Sequence, residues 1–105
     1  MSNRIIAKHM ARMRHARGVP PPNLIWRTTD GHCFYCGLVV RDRRLRTVDH
    51  LTPVRRGGES TEENLVPACR TCNRAKDRMT LEEYRATQGG GLFWGEQWRQ
   101  ARRQA

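Results

Sequence analysis

Four cysteines, one Asp-His pair and two asparagines are the residues of this 105-residue chain whose types and spacing could do chemistry. Cys33 and Cys36 stand in "HCFYCG", and Cys69 and Cys72 in "ACRTCN", with two residues inside each pair. In a reducing compartment that pattern reads as a metal site rather than as two disulfides. Zinc is the natural occupant, because four thiolates at about 2.3 Å complete its tetrahedron and leave no position open for reaction. The 32 residues between the pairs exceed what a compact zinc ribbon requires, so the excess must itself be folded. Within it lies "TVDHL", where Asp49 and His50 are neighbours; Asn64 follows, and Asn73 comes directly after the last cysteine. Taken alone, "TVDHL" reads as an ordinary edge strand with two polar residues. Pleating would send the two side chains to opposite faces, unless a strand end or a bulge falls at residues 48–51.

The elements that must position these groups follow from the metal. With both cysteine pairs drawn to one ion, residues 37–68 must leave it and return, and an antiparallel, hairpin-like excursion does so at low cost. "CGLVV" and "LRTVDHL" read as strands around the polar turn "RDRR". Asp49 and His50 then lie on the outgoing limb, Asn64 on the returning one, and Asn73 near the start of a helix that begins at the second cysteine pair. The four polar groups can converge. "TPVRRGGESTEEN" is a loop marked by Pro53 and Gly57-Gly58, in which Ser60 and Glu63 resemble a capping box opening one helical turn. Thr80 and Glu83 form a second such pattern, opening "LEEYRA". Gly89-Gly90-Gly91 break the chain before a tail whose Trp94 and Trp98, four apart, are expected to dock on the core rather than stack on bases. Residues 1–19 carry five basic residues and no acid, with Ile6, Met10 and Met13 at helical spacing. An amphipathic helix ended by Pro20-Pro21-Pro22 and a disordered basic arm are equal readings of that segment. The expected organisation is an arm or helix over 1–22, a core over 23–88 and a helical tail over 89–105.

The composition agrees with a small metal-held domain. Only 37% of the residues are hydrophobic, which is low for a chain closing a core unaided. Twenty Lys and Arg against ten Asp and Glu leave a formal charge of +10, suited to a partner made of phosphates. No apolar run is long enough to span a bilayer or to act as a signal peptide, so a cytoplasmic protein without membrane partners is expected. Arg70, Arg74, Lys76 and Arg78 fall on or near the second-cysteine helix, where they read equally as phosphate contacts and as a solvated face. Arg43, Arg44, Arg46, Arg55 and Arg56 flank the strand and loop with the same two readings. His32, beside a tetrahedron already complete, is expected to be an exposed neighbour, and His9 and His15 have no catalytic part. No cluster has the look of base readout, so selectivity would be weak or supplied by a protein partner.

The succession "CxxC", "VDH", then "GG…ENLVPACxxCNxxK" resembles the HNH endonucleases of the ββα-metal (His-Me finger) superfamily, in the branch whose motif is held by a four-cysteine zinc. The resemblance covers about residues 31–78. It implies a small, zinc-stabilised α+β fold of the ββα-metal type with flanking helices, and metal-dependent hydrolysis of DNA phosphodiester bonds, by nicking or double-strand cleavage, to 5′-phosphate and 3′-hydroxyl ends. By resemblance His50 is the general base, Asp49 and Asn73 hold one divalent cation, Mg²⁺ or Mn²⁺, and Asn64 fixes the two limbs through backbone hydrogen bonds. Cys33, Cys36, Cys69 and Cys72 hold the structural Zn²⁺, and Arg70, Arg74 and Lys76 lie toward DNA. Asn73 stands where the family often has His, an H-N-N pattern whose neutral amide oxygen favours hard cations. Phage DNA packaging or processing is one setting in which such small enzymes serve. The alternative is a zinc-stabilised nucleic-acid-binding module without catalysis, which accounts for the charge and the cysteines but not for a base and two oxygen ligands at these spacings.

Overall fold

The computed structural model describes residues 18–104; the basic segment 1–17, including Arg4, Lys8, His9 and His15, lies outside the described residues. Helix α1 (Pro22–Arg27) comes first, then strand β1 (Arg46–His50), strand β2 (Leu65–Cys69), and helices α2 (Arg70–Lys76), α3 (Leu81–Thr87) and α4 (Trp94–Gln104). Single 3-10 turns at Arg43–Leu45 and Val54–Arg56 lead into and out of β1. The proline triplet begins a helix rather than only closing one. Pro22 occupies the first turn of α1, where a missing N–H costs nothing and the fixed φ is already helical.

β1 and β2 form an antiparallel pair whose register runs without interruption from Arg46 opposite Cys69 to His50 opposite Leu65. This is the leave-and-return excursion expected of the segment between the cysteine pairs, but its partner strand differs from the expected one. "CGLVV" contributes only an isolated bridge between His32 and Val39. The reason is local: Gly37 turns at φ 77°, its N–H bonds the Cys33 carbonyl at 2.9 Å, and the Cys33 N–H bonds the Leu38 carbonyl at 2.9 Å. The backbone curls around Cys33 instead of extending. The true partner, "LVPAC", contains Pro67, which cannot donate to a ladder but is tolerated because both members of a two-stranded sheet are edges.

The core gathers on the sheet and the first cysteine turn. Ile25, Trp26, Phe34, Tyr35, Val40, Val48, Leu65, Val66, Ala68, Tyr84 and Phe93 are all buried. Tyr35 sits at the centre of an aromatic cluster, edge-on to Phe34, Tyr84 and Phe93 at centroid distances of 5.3, 5.3 and 5.0 Å. The tail beyond the glycine triplet is therefore tied to the core. Arg85 of α3 grips Glu96 of α4 through two bonds of 2.6 and 2.7 Å, and the Gly95 N–H donates to the Phe34 carbonyl. A Cβ on Gly95 would stand 2.0 Å from the Phe34 ring, so α4 can approach this closely only with glycine there. Trp94 and Trp98 stack on each other at 5.3 Å, and Trp98 donates to the Thr28 carbonyl at 2.9 Å; both rings pack on protein. His32 is half-buried and stacks on Trp94 at 4.7 Å, not the exposed neighbour expected of it. The Thr80–Glu83 capping box opening α3 is present.

Candidate active site

The scaffold of the site is sulfur. The ligand atoms of Cys33, Cys36, Cys69 and Cys72 all lie within 4.8 Å of one another, and the Cys36 and Cys69 sulfurs are 4.0 Å apart. A tetrahedron with arms of about 2.3 Å has edges of about 3.8 Å, so the four sulfurs fit zinc with little movement. Two backbone N–H groups already point at sulfur: Cys69 toward Cys33 at 3.3 Å, and Cys72 toward Cys69 at 3.4 Å. The second bond also caps α2, with Cys69 as its N-cap residue. Donors of this kind favour thiolate over thiol. Without a cation the cluster is frustrated. The hydrogen bond with Cys72 holds the Cys33 thiol down at about 5 and pushes Cys72 up, while burial raises Cys36 to about 11. A dication removes that conflict by stabilising all four as thiolates.

α2 starts at this cluster and runs back across β1, which fixes what faces what. Alternation puts Thr47 and Asp49 on the same face of β1, and α2 lies over it. Thr47 Oγ1 donates to the Ala68 carbonyl at 2.6 Å, so its oxygen must accept from Asn73 Nδ2, which lies 2.9 Å away. This decides the orientation of the amide: nitrogen toward Thr47, and Oδ1 turned away from it. One helical turn on, Lys76 places its ammonium 2.9 Å from Asp49 Oδ2 and 2.9 Å from the His50 carbonyl oxygen. The Tyr35 hydroxyl donates to the same Oδ2 at 2.5 Å. Burial pushes the Asp49 carboxyl up, while the Lys76 charge and the Tyr35 hydroxyl pull against it. Burial, reinforced by the nearby Asp49 charge, likewise pushes Tyr35 well above the usual phenol range, so its hydroxyl stays a donor.

His50 ends β1 and is half-buried. Its Nε2 lies 2.9 Å from the hydroxyl of Ser60, a buried residue of the 51–64 loop. That loop is held by Asn64. The Asn64 Oδ1 accepts the Thr52 N–H at 2.9 Å, while its Nδ2 donates to the carbonyls of Thr52 at 3.0 Å and Glu59 at 2.8 Å. Gly58 is required where it stands, since a Cβ there would lie 1.7 Å from the Thr52 carbonyl oxygen.

Asp49 and Asn73 thus both lie at the interface of β1 with α2, while His50 reaches from the strand end to the loop. No bulge relieves the alternation, because the register through residue 50 is regular; Asp49 meets Lys76 and Tyr35 while His50 meets Ser60. Arg70, Arg74 and Arg78 are exposed on or just beyond α2. Lys76 is not on that face. Its side chain is completely buried, because its position on the short helix points it at β1. Of the other arginines, Arg46 bonds the Val40 carbonyl and lies over Trp26, Arg56 pairs with Glu83, and Arg44 pairs with Asp42. Tyr35 and Ser60 carried no readable signal as site residues. Ser60 had the pattern of a helix cap.

Residues 33–78 match the family model described as HNH endonuclease. That segment is the part of the chain similar to HNH endonucleases. All four cysteines, Asp49, His50, Asn64, Asn73 and Lys76 fall inside the matched HNH segment, whereas α1 and α4 lie outside it. Among solved structures the chain is similar to the crystal structure of the Type II-C Cas9 enzyme from Actinomyces naeslundii, with a TM-score of 0.57 and 23% identity. That match covers 90% of this chain, which spans a tenth of the Cas9 length, so the likeness in fold extends beyond the HNH segment to the flanking helices. No curated protein matches the chain. Among the described residues no helix is long and apolar enough to cross a membrane.

Proposed function

We propose that this protein is a metal-dependent DNA endonuclease whose HNH core uses His50 as general base beside a single divalent cation. The observation that carries the reading is that Asp49 and Asn73 both lie at the contact of β1 with α2, Asn73 bonded to Thr47 on the same strand face as Asp49. Two hard oxygen donors, from a carboxylate and an amide of fixed orientation, stand next to the residue that carries the imidazole. Those donors suit Mg²⁺ or Mn²⁺ and would be poor partners for a soft ion. When bound there, the ion supplies positive charge where the scissile phosphate accumulates negative charge.

The rest of the reaction belongs to the chain. The His50 imidazole takes the proton of the attacking water, a task that imidazole as a group performs better than a carboxylate near neutral pH. Ser60 constrains the ring through Nε2, and Asn64 holds the 51–64 loop against the end of β1 so that His50 and Ser60 keep their separation. Arg70 and Arg74, exposed on α2, would take flanking phosphates and so orient the duplex without reading bases. The formal charge of +10 favours such backbone-dominated binding, and specificity would come from a protein partner. Processing or packaging of phage DNA is the setting we propose; its support is this charge and the lack of a base-reading cluster among the described residues.

The test is conversion of supercoiled plasmid by zinc-loaded protein with Mg²⁺ or Mn²⁺, against EDTA and against Asp49→Ala. Cleavage that needs the added cation and is lost in Asp49→Ala supports the proposal. Binding without cleavage under every condition leaves the alternative, a nucleic-acid-binding module on the same scaffold.

A further inference from the structure

Lys76 is the one completely buried ammonium among the described residues, and the reaction outlined above gives it no task. Its surroundings are specific. One hydrogen bond goes to Asp49 Oδ2 and one to the His50 carbonyl oxygen, both at 2.9 Å, so a single cation ties together the two adjacent residues on which the site depends. The Tyr35 hydroxyl takes the same Oδ2 at 2.5 Å, so that oxygen has two donors, one of them charged. The carboxylate also accepts a backbone hydrogen bond from His50. Its two side-chain donors, Lys76 and Tyr35, both stand on Oδ2, so the protein's charge and its phenol are spent on one oxygen of the two. An ion pair placed here for stability alone would be a poor choice, because burying two charges costs about as much as their attraction returns, and an apolar pair of equal volume does as well.

We propose that Lys76 is a positioning residue acting as the built-in counter-cation of the site. It pins Oδ2 of Asp49 so that a divalent ion is accepted on Oδ1 alone, and its charge holds the affinity for that ion down. This rests on Asp49 being a ligand of the cation, as proposed above. Two consequences follow from the geometry. A carboxylate with one oxygen already bonded coordinates through a single atom, which leaves more of the ion's positions for water and phosphate oxygens. The fixed ammonium also repels a second cation a few ångströms away, so the ion binds weakly until substrate phosphate adds negative charge. Lys76 thereby makes metal uptake depend on the presence of DNA.

Mn²⁺ titration of zinc-loaded protein at pH 8, followed calorimetrically, tests this in Lys76→Met and Lys76→Gln. Met removes both charge and donor, whereas Gln removes the charge and keeps an N–H. Both variants are expected to bind Mn²⁺ about ten-fold more tightly or better in the absence of DNA, and to lose the strengthening of Mn²⁺ binding that a short duplex brings to the wild type. A merely structural lysine would lower the melting temperature and leave Mn²⁺ affinity unchanged or weaker; that result in a variant retaining its zinc overturns the proposal. Wild-type protein and Asp49→Ala are titrated alongside. If the wild type shows no Mn²⁺ site, or one indifferent to Asp49→Ala, the metal reading itself has failed, and this is distinguishable from failure of the role given to Lys76. Should neither lysine variant keep its zinc, wild-type crystals soaked in Mn²⁺ decide the matter. An ion on Oδ1, with the Lys76 ammonium still on Oδ2, supports the proposal. An ion bridging both oxygens, or a displaced lysine, overturns it.

Discussion

Replacing Cys69 by serine isolates the contribution of the metal, because serine can do everything Cys69 does except bind zinc well. Cys69 ends β2, caps α2 by accepting the Cys72 N–H at 3.4 Å, and supplies one of four clustered sulfurs. Serine is among the best N-cap residues, so the cap survives, and the loss falls on the metal. Structural zinc contributes roughly 10–16 kcal/mol of apparent binding free energy, so one ligand in four is worth on the order of 3 kcal/mol or more. The whole folding free energy of a domain this size is about 5–15 kcal/mol. Cys69→Ser should therefore melt well below the wild type, with a midpoint that rises with added zinc, and full chelation should unfold both proteins. The assay is far-UV circular dichroism against temperature, with zinc content measured on the same samples. A wild-type protein that keeps its spectrum and its melting temperature after verified zinc removal would refute the reasoning, since the β1–β2 excursion and α2 would then be holding themselves.

Other consequences are more local. Asn64→Ala removes three hydrogen bonds to the Thr52 and Glu59 backbone and should cost about 1.5–4 kcal/mol in chemical denaturation, with a disproportionate loss of cleavage because Ser60 and His50 lose their fixed spacing. Gly95→Ala should lower stability by about 1–3 kcal/mol, read as a shift in the urea midpoint, because its Cβ would meet the Phe34 ring. Glu96 is held below the usual carboxylate range, chiefly by its hydrogen bonds with Arg85, so its contribution to stability is complete above the ordinary glutamate pKa and is lost as pH falls through its lower folded value. Glu96→Gln should accordingly melt below the wild type at pH 7, with the gap closing as the buffer is taken below about pH 4.

The parts of the site legible in the sequence are those whose chemistry is carried by residue type and spacing. Two CxxC pairs predict their own convergence wherever the intervening chain goes, and the Asp-His pair and the asparagines follow in an order that the HNH match over residues 33–78 contains. Strand β2 was hidden by Pro67, whose usual meaning is a break, and "CGLVV" was misleading because Gly37 turns a β-rich run into a curl around Cys33. Lys76 was read with Arg70 and Arg74 because charge on a short helix usually means solvent. Only the packing of α2 on β1 shows that Asn73 and Lys76, three apart, face Thr47 and Asp49, and that helix is capped by Cys69 of the cysteine cluster. Tyr35 was illegible for a related reason, since its partner Asp49 is 14 residues away and the bond exists only once the sheet forms.

The most direct measurement of the central claim compares His50→Ala with the wild type on supercoiled plasmid, in Mg²⁺ and in Mn²⁺, at matched zinc content. Removal of a general base is expected to slow cleavage by about 10²–10⁴-fold while leaving the melting temperature and duplex affinity close to those of the wild type. Equal cleavage rates in the two proteins would contradict the assignment of His50 and, with it, the proposed endonuclease mechanism.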